Sequence, residues 1–128
     1  MIEVKIHNGQ GYREVFKDGF VICDDSSETV DRVTGYLSVP SNLYEKSVAW
    51  IGGGLCVGPK LFASYYCKQT IFEIEPEMEE FCPEGAKFVA GDWRETFHGS
   101  YDVIVYDLAG NVPEELSKHL NPGGVILP

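Results

Sequence analysis

Four acidic residues stand where short apolar runs stop: Glu73 and Glu75 after Ile71-Phe72, Asp92 after Val89-Ala90-Gly91, and Asp107 after Tyr101–Tyr106. A further apolar run, Val48–Ile51, stops instead in three glycines, Gly52, Gly53 and Gly54. A carboxylate accepts hydrogen bonds and can take two donors at once, which suits paired hydroxyls, an amino group or a cation. Glycine does the complementary work. Without a Cβ it turns at positive φ and lets a ligand approach the backbone closely. Acids and glycines at strand ends predict a polar ligand held along one edge of a sheet.

The elements that must position these residues read as strand, helix, strand from Ser47 onward. A buried strand at 47–51 leads through the glycines and Gly58 to a helix over roughly 59–67. Pro59 suits its first position, and Leu61, Phe62, Tyr65 and Tyr66 form its inward stripe. Strands follow at 69–74, 86–90 and 101–106, with a short helical turn starting at Pro76. A helix over 112–120, broken by Asn121-Pro-Gly-Gly, precedes a fifth strand at Val125-Ile-Leu. Near-continuous apolar strands alternating with helices imply a parallel sheet covered on both faces. In such sheets ligands bind beyond the carboxyl ends of the strands, where the glycines and acids fall.

Upstream the period changes. Residues 2–7, 12–16 and 20–23 alternate apolar and polar, and Asp18-Gly19 is a hairpin turn signal. A helix over about 27–38 follows, capped by Ser or Asp before Glu28, with Val30, Val33 and Leu37 facing inward. The expectation is a single domain over 1–128: an antiparallel β hairpin unit at 1–26 and a Rossmann-like core at 47–128.

The chain of 128 residues carries 20 acidic and 10 basic side chains, a net charge of −10. That balance disfavours nucleic acid, and it either serves solubility alone or favours a cationic small molecule or a basic partner. No apolar run approaches the ~20 residues of a membrane span, and no basic-then-apolar leader is present, so a soluble cytoplasmic protein is expected. Cys23, Cys56, Cys67 and Cys82 form no C-x-x-C pair, and His7, His98 and His119 are scattered. No metal site is therefore expected, and the thiols read as reduced and mostly buried. The last strand would be an apolar sheet edge, which predicts a homodimer.

Three nucleotide loops compete for the glycines. A nicotinamide fingerprint, G-x-G-x-x-G counted from Gly52, would need its third glycine at Val57, and Gly58 comes one residue late. A P-loop would close in G-K-[ST], whereas Gly58 is followed by Pro59-Lys60-Leu61. An adenosine held by an acid at the second strand end fits better. Glu73 lies 19 residues after Gly54, where a carboxylate can accept both ribose hydroxyls, and Glu75 competes for that role. Asp92 suits an adenine amino group, with Trp93 or Leu55 against the ring, or is a plain turn residue.

The segments V-A-W-I-G-G-G, I-F-E-I-E-P-E, V-A-G-D-W, Y-D-V-I-V-Y-D and N-P-G-G-V resemble the S-adenosylmethionine-dependent methyltransferase fold. Within it they most resemble the spermidine synthase (aminopropyltransferase) family, over roughly residues 12–128. The resemblance implies a Rossmann-like α/β fold, its sheet truncated after the fifth strand. The implied donor is S-adenosylmethionine or its decarboxylated form. Gly52 and Gly54 would lie at the donor's methionine-side tail, Glu73 at the ribose and Asp92 at the adenine. Asp107 would help activate an attacking cationic amine. The chain departs from that family at Leu55, where an Asp holds the aminopropyl amine, and at Gly110, where a second Asp follows the fourth strand. It departs again at Ile22 and Asp31, and it lacks two further strands and a tyrosine-bearing wall. The cofactor half is retained and the acceptor half is not. Group transfer from an adenosyl sulfonium is the first reading, and a non-catalytic adenosyl-binding or protein-interaction domain the second.

Overall fold

The computed structural model describes residues 2–7, 11–38 and 42–128. Alternating side chains make β1 (Ile2–His7), β2 (Tyr12–Lys17) and β3 (Phe20–Asp24), an antiparallel sheet in the order β1-β2-β3. Asp18 and Gly19 both take positive φ, 52° and 84°, as a two-residue hairpin loop requires. The β2–β3 register slips between Val15 and Phe16, and Ile22 is the extra residue. Val15 is fully buried and packs with Leu55 and Met78, which docks this small sheet onto the loop that follows Ile51.

Next comes α1 (Ser27–Tyr36). Asp24 Oδ1 accepts from the Ser26 N–H, the Ser26 hydroxyl and the Thr29 hydroxyl, so the acid before the helix fixes its entry. The helix stops two residues earlier than the sequence suggested. Its burial falls on Val33 and Tyr36, whereas Val30 is exposed.

The second sheet consists of β4 (Ser47–Ile51), β5 (Lys68–Glu73), β6 (Lys87–Ala90), β7 (Tyr101–Tyr106) and β8 (Leu120–Leu127). All four pairings are parallel, in the order β6-β5-β4-β7-β8. The chain runs outward from β4 to β6, then returns to the other side of β4 for β7 and β8. That reversal opens a crevice beyond the carboxyl ends of β4 and its neighbours.

Trp50, fully buried in β4, anchors the packing of α2 (Val57–Ala63). Its ring meets Phe62 edge-on at 4.9 Å, and its Nε1 donates to Gln69 Oε1 at 2.7 Å. The Gln69 amide then donates to the Pro59 carbonyl at 2.8 Å, so this buried polar chain is satisfied. A Cβ on Gly58 would come within 2.2 Å of the Trp50 ring. Gly58 is thus a packing glycine that lets α2 lie against Trp50.

Several boundaries differ from the sequence expectation. Cys56 takes a left-handed conformation (φ 59°) and caps α2 early, so Pro59 is its third residue and not its first. The helix then stops at Ala63, before Tyr65 and Tyr66. Both expected core tyrosines are exposed, because a turn with Tyr66 at φ 58° breaks the helical stripe. The helix expected at 112–120 is a 3-10 helix over Glu114–His119, and β8 begins directly at Leu120. Asn121-Pro-Gly-Gly interrupts β8 as a bulge: Tyr101 pairs with Leu120, and the next pair is Val103 with Val125. A short helix, α3 (Trp93–Thr96), was not expected. No helix among the described residues is long and apolar enough to cross a membrane.

Candidate functional site

The glycine loop turns at Gly52 (φ 85°) and Gly54 (φ 53°). Its backbone is held from below by Glu73, the last residue of β5. Glu73 Oε1 accepts from the N–H groups of Gly53 (3.1 Å) and Gly54 (2.9 Å), and Oε2 accepts from Glu75 N–H (2.9 Å). A carboxylate has roughly four acceptor positions, so about one remains for a ligand. Glu73 is 8% exposed. A Cβ on Gly52 would meet the Leu108 side chain at 2.8 Å and the Asp107 carbonyl at 3.1 Å, so the loop also closes against the end of β7.

Alternation along the strand could not separate Glu73 from Glu75, but the fold does. Glu75 lies past the end of β5 and accepts from Lys17 of β2. Hydrogen bonding and attraction by Glu75 raise the Lys17 pKa above its usual value. Glu75 therefore ties the N-terminal sheet to the strand end, while Glu73 braces the loop.

Asp92 caps α3, its Oδ1 accepting from Arg94 N–H at 3.0 Å, and its side chain is 44% exposed. Gly91 before it turns at φ 128°, with its N–H on the Glu73 carbonyl. Trp93 is 7% exposed and packs edge-on against Tyr106 and Phe97, with the Arg94 guanidinium 5.0 Å over its ring. Its indole Nε1 has no partner among the described residues.

Asp107 sits just past β7 and accepts from Arg32 Nη1 of α1; the same nitrogen donates to the Tyr36 hydroxyl at 3.2 Å. Burial pushes the Asp107 carboxyl above the usual range, against the pull of Arg32 and the Tyr36 hydroxyl, and nearby Glu73 adds to the rise. Sequence reasoning missed Arg32. One signal was available, since Arg32 is the single basic residue between Lys17 and Lys46.

Two cavities lie over these groups. The larger, about 380 Å³, runs between β3, α1, the glycine loop and the ends of β5 and β7, with Arg32 and Asp107 on one wall. That is within the roughly 300–1,000 Å³ usual for small-molecule sites. The smaller, about 140 Å³, is bounded by Phe72, Asp92, Trp93 and Arg94. Gly52, Glu73, Ile74 and Leu108 line both. The residues singled out by sequence thus gather here: Gly52, Gly53, Gly54, Glu73 and Asp107 at the larger cavity, Asp92 and Trp93 at the smaller. Leu55 also reaches the larger cavity, but its side chain is buried with Val15 and Met78. Cys23 faces Gly54, and burial, then the charge of Glu73, pushes its thiol up to about 12. It is a neutral wall residue.

No family model and no curated protein sequence matches this chain. Solved structures do. A protein-L-isoaspartate O-methyltransferase aligns with 100% of this chain and 41% of its own, at 19% identity and a TM-score of 0.65. An S-adenosylmethionine-dependent methyltransferase from Thiobacillus denitrificans, in complex with S-adenosyl-L-homocysteine, aligns with 75% of this chain and 46% of its own, at 18% identity and a TM-score of 0.62. A precorrin 8w decarboxylase from Methanobacterium thermoautotrophicum aligns with 80% of this chain and 61% of its own, at 16% identity and a TM-score of 0.61. The chain spans less than two thirds of each of these structures. The shared feature is the fold: a Rossmann-like α/β fold of the S-adenosylmethionine-dependent methyltransferase type, preceded here by a small antiparallel sheet.

Proposed function

We propose that this chain binds S-adenosylmethionine and serves transfer of its methyl group. The observation that carries the reading is the pair of cavities that share Glu73 in their lining, a compact slot on one side and a roomier charged space on the other. An adenosyl compound has the same division. Adenine goes to the slot beside Asp92 and Trp93, ribose to the remaining acceptor position of Glu73, and the tail to the space beside Gly52–Gly54. Gly52 and Glu73 line both cavities, so a nucleoside spanning them would meet the glycine loop and the acid together.

Bound S-adenosylmethionine supplies a sulfonium-activated methyl group. The chain's own contribution is positioning, which matters most for a transfer that needs nucleophile and donor in line. Spermidine synthase-like aminopropyl transfer is the weaker version. Leu55 offers nothing to an amine, and the Arg32 guanidinium paired with Asp107 sets like charge beside a purely cationic tail. That same pairing favours a second reading, a non-catalytic adenosyl-binding domain, because a carboxylate engaged by a guanidinium is a poor general base.

A thermal-shift panel of S-adenosylmethionine, S-adenosylhomocysteine, methylthioadenosine and NAD tests the reading. An adenosyl ligand at ~100 times its Kd stabilises the fold by about 2.7 kcal/mol. Absence of any shift with all three adenosyl compounds rejects it. Binding without release of S-adenosylhomocysteine from S-adenosylmethionine, across an acceptor panel, selects the non-catalytic version.

A further inference from the structure

We propose that Arg32 and Asp107 together form a subsite for an α-amino-acid group, with Arg32 reading the carboxylate and Asp107 the ammonium of the ligand's tail. The inference rests on the adenosyl reading above and decides which donor that site takes: S-adenosylmethionine in preference to its decarboxylated form.

The argument starts from which charges on the larger cavity are already engaged. Its acids are Asp24, Glu73, Glu75 and Asp107. Asp24 accepts from Ser26 and Thr29, Glu73 from three backbone N–H groups, and Glu75 from Lys17. Arg32 is the one cation on the lining. Both of its hydrogen bonds leave from Nη1, to Asp107 and to Tyr36. Among the described residues, its Nε and Nη2 donate to nothing, and the side chain is 50% exposed. A guanidinium carries five N–H donors in a planar fork that matches a carboxylate in bidentate fashion. The free edge of that fork is therefore the strongest unused donor at the cavity.

A guanidinium beside a carboxylate is complementary to an ammonium beside a carboxylate. The ligand's carboxylate adds to Arg32 and its ammonium to Asp107, so four alternating charges replace two. A tail ending in an ammonium alone gains at Asp107 but faces Arg32 with like charge and nothing to offset it. The net charge of −10 sharpens the point. An anionic group is disfavoured by the protein as a whole and needs a local cation to enter, and Arg32 supplies it.

Calorimetric titration of S-adenosylmethionine and decarboxylated S-adenosylmethionine isolates the carboxylate, since both are sulfonium compounds with the same nucleoside. Wild-type protein is expected to bind S-adenosylmethionine at least about tenfold more tightly, the scale of one charge-assisted hydrogen bond. Arg32→Gln is expected to bring the two Kd values within about threefold of each other, and Arg32→Lys to fall between. Titration with methylthioadenosine, which has no amino-acid tail, reports whether each variant is folded and still holds the nucleoside. Equal affinity for the two sulfonium compounds in the wild type overturns the inference, as does an unchanged ratio in Arg32→Gln, with the adenosyl reading left standing. If methylthioadenosine and both sulfonium compounds all fail to bind wild-type protein, the adenosyl reading falls and takes this inference with it.

Discussion

Two carboxylates flank the central strand β4 at its carboxyl end, and they are held in opposite ways. Glu73, at the end of β5, takes its three hydrogen bonds from backbone N–H groups of Gly53, Gly54 and Glu75. Asp107, at the end of β7, is held by a side chain of α1, the Arg32 guanidinium, which also donates to the Tyr36 hydroxyl. Backbone donors cannot leave without unmaking the loop, whereas a guanidinium on a helix surface can share or exchange its partner. One side of the crevice is thus part of the scaffold, and the other is adjustable. The difference also bears on energy. Leaving buried N–H groups unsatisfied costs about 1–3 kcal/mol each, while a partly exposed ion pair contributes roughly 0–1 kcal/mol.

The largest expected effect follows from Glu73. Glu73→Ala orphans three N–H groups and should cost at least about 3 kcal/mol of unfolding free energy, read from urea denaturation. It also removes the proposed ribose acceptor, so loss of ligand binding in this variant alone does not separate the two roles. Glu73→Gln keeps one acceptor oxygen for the glycine N–H groups and should cost less than half as much. If Glu73→Ala is no more destabilising than Asp107→Asn, the division between a wired side and an adjustable side fails.

Acid-range stability sharpens the comparison, because Asp107 and Asp102 shift in opposite directions. The Ser47 N–H on Asp102, offset in part by burial and helped by Asn121, holds that carboxyl below its usual range. Its stabilisation is complete above the ordinary carboxylate pKa and is lost as pH falls through the lowered value. Asp102→Asn should therefore flatten the acid limb of a stability–pH curve, with a loss of about 1 kcal/mol near neutrality. Asp107 is raised, so the folded state binds its proton more tightly than the unfolded state does. Its contribution favours folding below the ordinary carboxylate pKa and declines as pH rises through the raised value. Asp107→Asn should remove that decline and change neutral stability by less than about 1 kcal/mol. A curve for Asp107→Asn that parallels the wild type would show that the carboxyl is not buried against its charge.

What was legible in the sequence follows the same line. The strands were visible because apolar runs that end in turn residues are local signals, and the glycines and acids were visible because they close those runs. Interactions between distant segments were not. Arg32 meets Asp107 across 75 residues, and nothing in the helix period of α1 marks it as a site residue. Gly58 looked like one more loop glycine until Trp50 supplied the reason for it, a ring that a Cβ would strike. Glu73 and Glu75 could not be separated while both were taken to lie on one strand face. The end of β5 at Glu73, and Lys17 arriving from the other sheet, separate them. Tyr65 and Tyr66 went wrong for a local reason that only the backbone reveals, the left-handed turn that ends the stripe.

Trp93 belongs to neither side of the comparison and carries the smallest expected effect on stability. Its ring is buried among Tyr106 and Phe97, yet its indole N–H has no partner among the described residues. Trp93→Phe removes the unsatisfied donor and also some ring volume, two changes of opposite sign, so net stability should move by less than about 1 kcal/mol. The ligand-free protein then tolerates the change, while an adenosyl compound in the proposed slot would lose part of its ring contact. Methylthioadenosine affinity is expected to fall by about threefold, the scale of a weakened aromatic contact. A clear loss of stability with unchanged methylthioadenosine affinity would make Trp93 a core residue only and leave Asp92 alone to serve the proposed adenine site.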